Sequence, residues 1–463
     1  MYLCVKISRI MFIRFAVSNL FSFQKETEFN LFPGRINRLG HHKYKALGIE
    51  TLKTSAIYGA NGAGKSNLVK AIDTLKDFVI SGNIPEALFS QKFKLTKKSI
   101  KEPVYLGIEF IHKNKAYYYG IHVNDGIVLK EELLFSGLGK KEDKPIFIRS
   151  SKPDKSSQII FFQGFEGSKE NVLLKGIIEK DLLKHDKSLL TLLNGLSNES
   201  FTEMKTAFEW FNNQLVILYP KSRPLELVHN LDVKKILLTF ANDIMVSFQT
   251  GVKQIIPEKK SIEEFVGEEN RAEIDKIVSE VRSSPGKMIG LMNQDDEIVV
   301  IDEAGKIIAK RLSLNHSGDK GQLVPFNLNQ ESDGTKRLLQ YIPVILDVII
   351  NDKVCFIDEM ERSLHPLLVK ELVRKFSGDN STKGQLVFTT HESNLLDQDI
   401  FRQDEIWFAE KNKLGATELY PLTEFKKEHH TIDLRKGYLT GRYGAIPFLG
   451  NLSDLKWNSY AAD

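Results

Sequence analysis

Cysteine is nearly absent from this 463-residue chain: only Cys4 and Cys355 occur. Two thiols build no disulfide framework, so stability has to come from buried apolar surface, and the scarcity suits a reducing cytoplasm. Long hydrophobic runs are missing too, and no uninterrupted apolar stretch could span a bilayer. A membrane transporter would have to borrow its membrane part from another chain. Charge of one sign is also lacking. The 64 basic residues face 60 acidic ones, and a formal net charge of +4 is too near balance to argue for nucleic acid on bulk charge. There is no internal repeat and no low-complexity tract. Pro220, Pro224, Pro257 and Pro285 interrupt the central region, so no heptad pattern survives to make a long coiled coil. Residues 1–10 lack both a continuous apolar segment and a small-residue cleavage site, which makes them a poor signal peptide. Met11 opens a better strand, Phe12 to Val17, and the ten residues before it are expected to be a dispensable extension.

What is present is ordinary globular composition, 42% hydrophobic and 27% charged, in a chain long enough for two or three domains. Within it, Gly59-Ala60-Asn61-Gly62-Ala63-Gly64-Lys65-Ser66 fits the phosphate-cradling pattern GxxxxGK[ST]. An apolar run, Ser55 to Tyr58, precedes it as a buried strand. Asn67 to Ile72 follows with helical spacing, which sets a helix N-terminus against the anion. In such a loop backbone N–H groups turn inward around the phosphates, Lys65 reaches the β- and γ-phosphates, and the Ser66 hydroxyl ligates Mg²⁺. ATP and Mg²⁺ are therefore the expected cofactors.

Around this loop the chain is organised unevenly. The stretch from Met11 to Ile72 reads as strand, loop, strand, phosphate loop and helix, with a turn at Pro33-Gly34. Val104 to Ile111, Ala116 to Val123 and Ile127 to Leu134 are predicted to form an antiparallel meander. Tyr117, Tyr118 and Tyr119 in its middle strand read as core residues before base-stacking ones. From Gly164 to about Gly286 the apolar spacing is mainly helical, and Glu263 to Arg282 reads as an exposed helix with a solvated face. A hairpin follows, Ile298 to Ile301 and Lys306 to Ala309, turning at Ala304-Gly305.

Hydrolysis needs more than a phosphate loop: a carboxylate for Mg²⁺ and a group that orients water. Two apolar runs end in Asp-Glu, one at Asp302-Glu303 and one at Asp358-Glu359. The first runs straight into a hairpin turn. The second leads into Ser363-Leu364-His365-Pro366 and a helix, the order used at the carboxyl edge of a parallel sheet. Asp358 is thus expected to serve Mg²⁺ and Glu359 to polarise the attacking water. His391 ends a further apolar strand, Gln385 to Thr390, where it could sense the γ-phosphate. Ser332-Asp333-Gly334 opens a helix from Leu338 to Ile350 and offers a hydroxyl and N–H groups to a phosphate; the bland reading is only an N-cap, and the position of Ser332 shortly before the Asp358 strand favours the phosphate.

Phosphate loop, Ser-x-Gly helix, Asp-Glu strand and His-ended strand, in that order, resemble the ATP-binding-cassette heads of SMC, RecF and related proteins, and fit poorly with hexameric AAA+ motors. The resemblance implies an α/β head with a mixed sheet, an antiparallel meander and an inserted, mainly helical subdomain. Residues 1–163 and 321–463 would form its two halves, and 164–320 the insert ending in a hairpin. It also implies that Ser332 and Gly334 of one protomer cap the ATP bound by another, alongside Gly59, Asn61, Gly62, Ala63, Gly64, Lys65, Ser66 and Asn67. Asp333 departs from the family's Gly-Gly, and either Gln91 or Gln163 could be its glutamine near the nucleotide.

Further segments resemble stand-alone ATPases of bacterial phage defence, the RloA and AbiL type, with kinship to the PARIS ATPase subunit and the OLD ATPase head. They are Phe15 to Phe23, Ala56 to Asn67, Asp358-Glu359 with Ser363 to Pro366, Thr390-His391, Asp404 to Phe408 and Gly441 to Pro447. This implies a cytoplasmic ATPase that self-assembles through its ATP sites, answers a phage protein and controls a separately encoded effector, a Toprim-type or other nuclease. The stretch after His391 is too short for the nuclease domain fused to OLD-type heads. A RecF- or SMC-like clamp on DNA is the alternative. His429-His430 near Asp433 read as a polar loop, and Lys426-Lys427, Arg435-Lys436 and Arg442 as weak support for phosphate-backbone contact.

Overall fold

Runs that are apolar at every position become parallel strands buried on both faces, and runs that alternate become antiparallel ones. Both kinds occur in the computed structural model, which describes residues 10–152, 154–162, 164–222, 227–267, 270–283, 288–292, 297–425 and 432–446. The chain divides into two units: Met1–Leu218 with Asp352–Met360 and Lys370–Asp463, and Tyr219–Asn351 with Glu361–Val369. The α/β class is as expected.

The first unit holds a six-stranded sheet in the order Leu215–Leu218, Val354–Ile357, Gln385–Thr389, Thr54–Tyr58, Ile406–Lys411, Thr417–Pro421. The first five run parallel and the last closes the edge antiparallel. Thr54–Tyr58, Val354–Ile357 and Gln385–Thr389 are buried at every position. Cys355 lies wholly inside; burial pushes its thiol pKa up, so it packs as an apolar side chain. Ile357 sits opposite Phe388, and Thr389 opposite Ile57. The chain therefore leaves all three central strands at one carboxyl edge, toward Asp358, Thr390 and Gly59.

The three predicted meander strands form the centre of a larger, seven-stranded antiparallel sheet. Its order is Ser157–Phe161, Lys144–Ser151, Ile127–Phe135, Lys115–Asn124, Val104–His112, Met11–Ser18, Thr27–Asn30. Tyr117 and Tyr119 are fully buried there and donate to Glu203 (2.7 Å) and Glu131 (2.9 Å). Glu131 also accepts the N–H groups of Leu189 and Leu190 at 2.8 and 2.9 Å, the start of helix Leu189–Asn194, while Arg149 neutralises it at 3.3 Å. The buried Gln385 side chain joins the two sheets. Its carbonyl accepts from Phe12 N at 2.6 Å, and its amide donates to Leu52 O at 2.9 Å.

The second unit carries a five-stranded antiparallel sheet in the order Val252–Lys260, Lys306–Ser317, Glu297–Glu303, Ile289–Met292, with Leu323–Asn327 paired to Lys306–Ser317. Its described helices are Leu227–Val233, Lys235–Ser247, Ile262–Val266, Arg271–Ser283 and Asp333–Ile350, the last running through Pro343.

The mainly helical insert expected over 164–320 differs from this division. Residues 164–218 belong to the first unit and end in the parallel strand Leu215–Leu218, and the second unit extends to Asn351. Val252–Lys260 is a strand where helical spacing was expected. It lies at a sheet edge, where Pro257, lacking an N–H, is tolerated. Helix Arg271–Ser283 has a solvated face as expected, and its other face buries Ile274, Ile277 and Val281 against Ile298, Val300 and Ala309.

Candidate functional site

The phosphate loop leaves Thr54–Tyr58 and enters helix Lys65–Ser81, whose Leu68, Ile72, Leu75 and Val79 recur at helical spacing on its buried face. Gly64 is the N-cap at φ +110°, a conformation that side chains disfavour, and it is packed directly against Thr417. The Thr417 hydroxyl donates to Ala63 O at 2.7 Å and lies 2.7 Å from Ser22 Oγ, which accepts from Asn67 Nδ2 at 2.8 Å. Lys411 Nζ donates to the same Thr417 hydroxyl at 3.1 Å, and burial pulls that ammonium's pKa down. The loop is thus braced from below by side chains of two distant segments. Lys65 Nζ is held over it by the carbonyls of Gly59 (2.6 Å) and Ala60 (3.2 Å).

Asp358 and Glu359 follow Val354–Ile357, two strands from the loop. Asp358 Oδ1 accepts from Ser66 Oγ at 2.9 Å and from Thr389 Oγ1 at 2.6 Å. The two expected metal-binding residues, far apart in sequence, are therefore in direct contact. Glu359 adopts φ +49°, a costly left-handed conformation for a side-chain-bearing residue, and its N–H donates to Thr389 Oγ1 at 2.8 Å. Thr390 N donates to Ile57 O at 3.0 Å, which fixes the end of the strand that leads to the exposed His391.

A cradle of loop N–H groups at a helix N-terminus suits nucleotide phosphates. The touching Ser66 hydroxyl and Asp358 carboxylate are both hard oxygen donors, which suits Mg²⁺. Among the described residues no group of three or more His, Cys, Asp or Glu could hold a metal. Magnesium commonly takes just this sparse protein share, with phosphate and water oxygens completing its shell.

Ser332 and Gly334 lie in the second unit, apart in the chain division from the loop and Asp358. Ser332 caps helix Asp333–Ile350 by accepting from Thr335 N at 3.1 Å. A Cβ on Gly334 would stand 2.8 Å from Ser363 O, so glycine allows that backbone to approach. Asp302 and Glu303 sit at a hairpin turn as expected: Asp302 accepts from Gly305 N at 2.7 Å, and Glu303 pairs with buried Lys310. Gln91 is exposed, and its backbone carbonyl accepts from Phe21 N at 2.7 Å. Arg435, Lys436 and Arg442 are exposed. Residues 1–9, Gln163, Lys426, Lys427, His429 and His430 lie outside the described residues. Sequence reasoning missed Thr389, Ser22 and Thr417. Only the Thr-Thr-His run offered a signal, and only for the first.

The family model described as "AAA domain, putative AbiEii toxin, Type IV TA system" matches residues 55–397, well over half of the chain. The chain belongs to this AAA family. The match spans the phosphate loop, Asp358, Glu359 and His391. No curated protein matches this AAA-family chain. Among solved structures, an SMC head bound to the C-terminal winged-helix domain of ScpA is similar at 11% identity and TM-score 0.41, covering 89% of this chain and 97% of that one. The SMC head domain of Thermotoga maritima gives 12% identity and TM-score 0.37 over 89% and 98%. An SMC head with an extended coiled coil, bound to the C-terminal domain of ScpA and derived from Pyrococcus furiosus, gives 13% and 0.36 over 94% and 99%. Among the described residues no helix is long and apolar enough to cross a membrane.

Proposed function

We propose that the chain is an ATP-hydrolysing subunit which assembles through its nucleotide sites and controls a separately encoded effector, a nuclease, in defence against phage. The observation that carries the hydrolytic part is the 2.9 Å contact between Ser66 Oγ and Asp358 Oδ1 beneath a glycine-rich loop. On this reading Lys65 and the loop N–H groups hold the β- and γ-phosphates, and Ser66 and Asp358 hold Mg²⁺. When bound, Mg²⁺ neutralises charge developing on the phosphate oxygens. Glu359 orients and polarises the attacking water, and His391 answers the state of the γ-phosphate. Ser332 and Gly334 present the start of helix Asp333–Ile350 to the nucleotide of a second copy, where the helix dipole favours an anion. The family description, which names a toxin of a toxin–antitoxin system, supports a chain that acts on or through a cellular effector.

Lys65→Ala is expected to abolish ATP binding in a filter or fluorescence assay. Glu359→Gln is expected to bind ATP, stop phosphate release and accumulate the assembled state in light scattering. Normal turnover by Glu359→Gln refutes the catalytic assignment. Cells carrying the chain with its neighbouring genes should resist phage and lose that resistance with Lys65→Ala; unchanged plating efficiency refutes the defence role.

A further inference from the structure

One side chain in the site has no part in the reading above. Thr389 is fully buried at the end of Gln385–Thr389, and its single hydroxyl serves both acidic residues. It donates to Asp358 Oδ1 at 2.6 Å and accepts from Glu359 N at 2.8 Å. Its own carbonyl accepts from Met360 N at 3.1 Å, so one residue grips three consecutive positions of the neighbouring strand's exit.

We infer that Thr389 is a positioning residue for hydrolysis: it sets the rotamer of the Asp358 carboxylate and stabilises the left-handed backbone of Glu359. The inference rests on the proposed ATPase reading. A hydroxyl has one proton and must point it at one acceptor. The short donation to Oδ1 takes up that proton and leaves a lone pair for the Glu359 N–H. Asp358 is thereby turned so that Oδ1 faces the strand and Ser66. The Glu359 turn, at φ +49°, gains a buried hydrogen bond that offsets part of its conformational cost. Partners that orient a metal-binding carboxylate typically affect metal affinity or activity by about 10–100-fold. The proposed phosphate ligands are the loop N–H groups and Lys65, so loss of the Thr389 hydroxyl should leave metal-free nucleotide affinity alone.

The test compares Thr389→Val, isosteric but without the hydroxyl, with Thr389→Ser, which keeps it. Binding of a fluorescent ATP analogue is followed in EDTA and then against rising Mg²⁺, beside steady-state phosphate release. Thr389→Val should bind the analogue normally in EDTA, need about 10–100-fold more Mg²⁺ to reach the Mg²⁺-dependent signal, and lose kcat by a similar factor with KM for ATP little changed. Thr389→Ser should restore both. Wild-type Mg²⁺ dependence in Thr389→Val overturns the inference, as does a Ser variant impaired as severely as Val. Thr389→Ala is the second hydroxyl-free variant; if it and Val both fail to fold, the role is structural and the inference is overturned. Failure of the wild-type chain to bind the analogue at all would sink the ATPase reading instead.

Discussion

Two places in this chain spell the same thing, an apolar run followed by Asp-Glu, and the fold treats them in opposite ways. At Asp302-Glu303 both acids serve structure. The next two residues, Ala304 at φ +54° and Gly305 at φ +86°, form a tight hairpin turn; Asp302 accepts from the Gly305 N–H, and Glu303 is consumed by Lys310. At Asp358-Glu359 the chain leaves a parallel strand, and a parallel strand cannot turn back by a hairpin. Its acids therefore end at the sheet's carboxyl edge, where Ser66 and Thr389 meet Asp358. The same dipeptide closes a hairpin or stands at the sheet's carboxyl edge according to the direction of the next strand.

The strongest way to break the comparison is to remove the acid at each place. Glu359→Gln should cut steady-state phosphate release by about 10²–10⁴-fold, the usual contribution of a positioned base, while Glu303→Gln leaves it near wild type. Next comes the cation that occupies Glu303. Lys310 is completely buried between Asp232 (2.7 Å) and Glu303, and Lys259 pairs with the same two acids, so Lys310→Met should cost the second unit about 1–3 kcal/mol, read by hydrogen exchange across Lys306–Ser317 in urea.

A pH series sharpens the same point. The hydrogen bond from Lys310 holds the Glu303 carboxyl below its ordinary value of 4.5. A depressed folded value means that the stabilisation is complete above pH 4.5 and is lost as pH falls through the lower folded value. The urea midpoint of this unit should drop in that window, and Lys310→Met should flatten the drop. The smallest effect is expected at the turn, where Gly305→Ala at positive φ should cost about 1 kcal/mol in the same exchange experiment.

The candidate site was readable where its chemistry is written in consecutive residues. Gly59 to Ser66 and Asp358-Glu359 carry both the side chains and the breaks that end a strand. Fold elements defined by distant partners were less readable. Leu215–Leu218 is four apolar residues after a helical stretch, and its strand character comes from pairing in parallel with Val354–Ile357. Val252–Lys260 contains Pro257, which reads as a helix interruption and turns out to mark an edge strand. Thr389 looked like one more strand residue because its role depends on a carboxylate that arrives through a neighbouring strand.

The parallel sheet also dictates when the protein can begin to work. Thr54–Tyr58, which launches the phosphate loop, is flanked by Gln385–Thr389 and Ile406–Lys411, both made long after it. A nascent chain on the ribosome carries the loop for hundreds of codons before the strands that brace it and the carboxylate that completes it emerge. The antiparallel sheet, by contrast, has all seven of its strands by Phe161 and can form early. Translation thus supplies the antiparallel platform first and the strands around the phosphate loop last, so a product interrupted before Gln385 carries the loop without the neighbours that brace it.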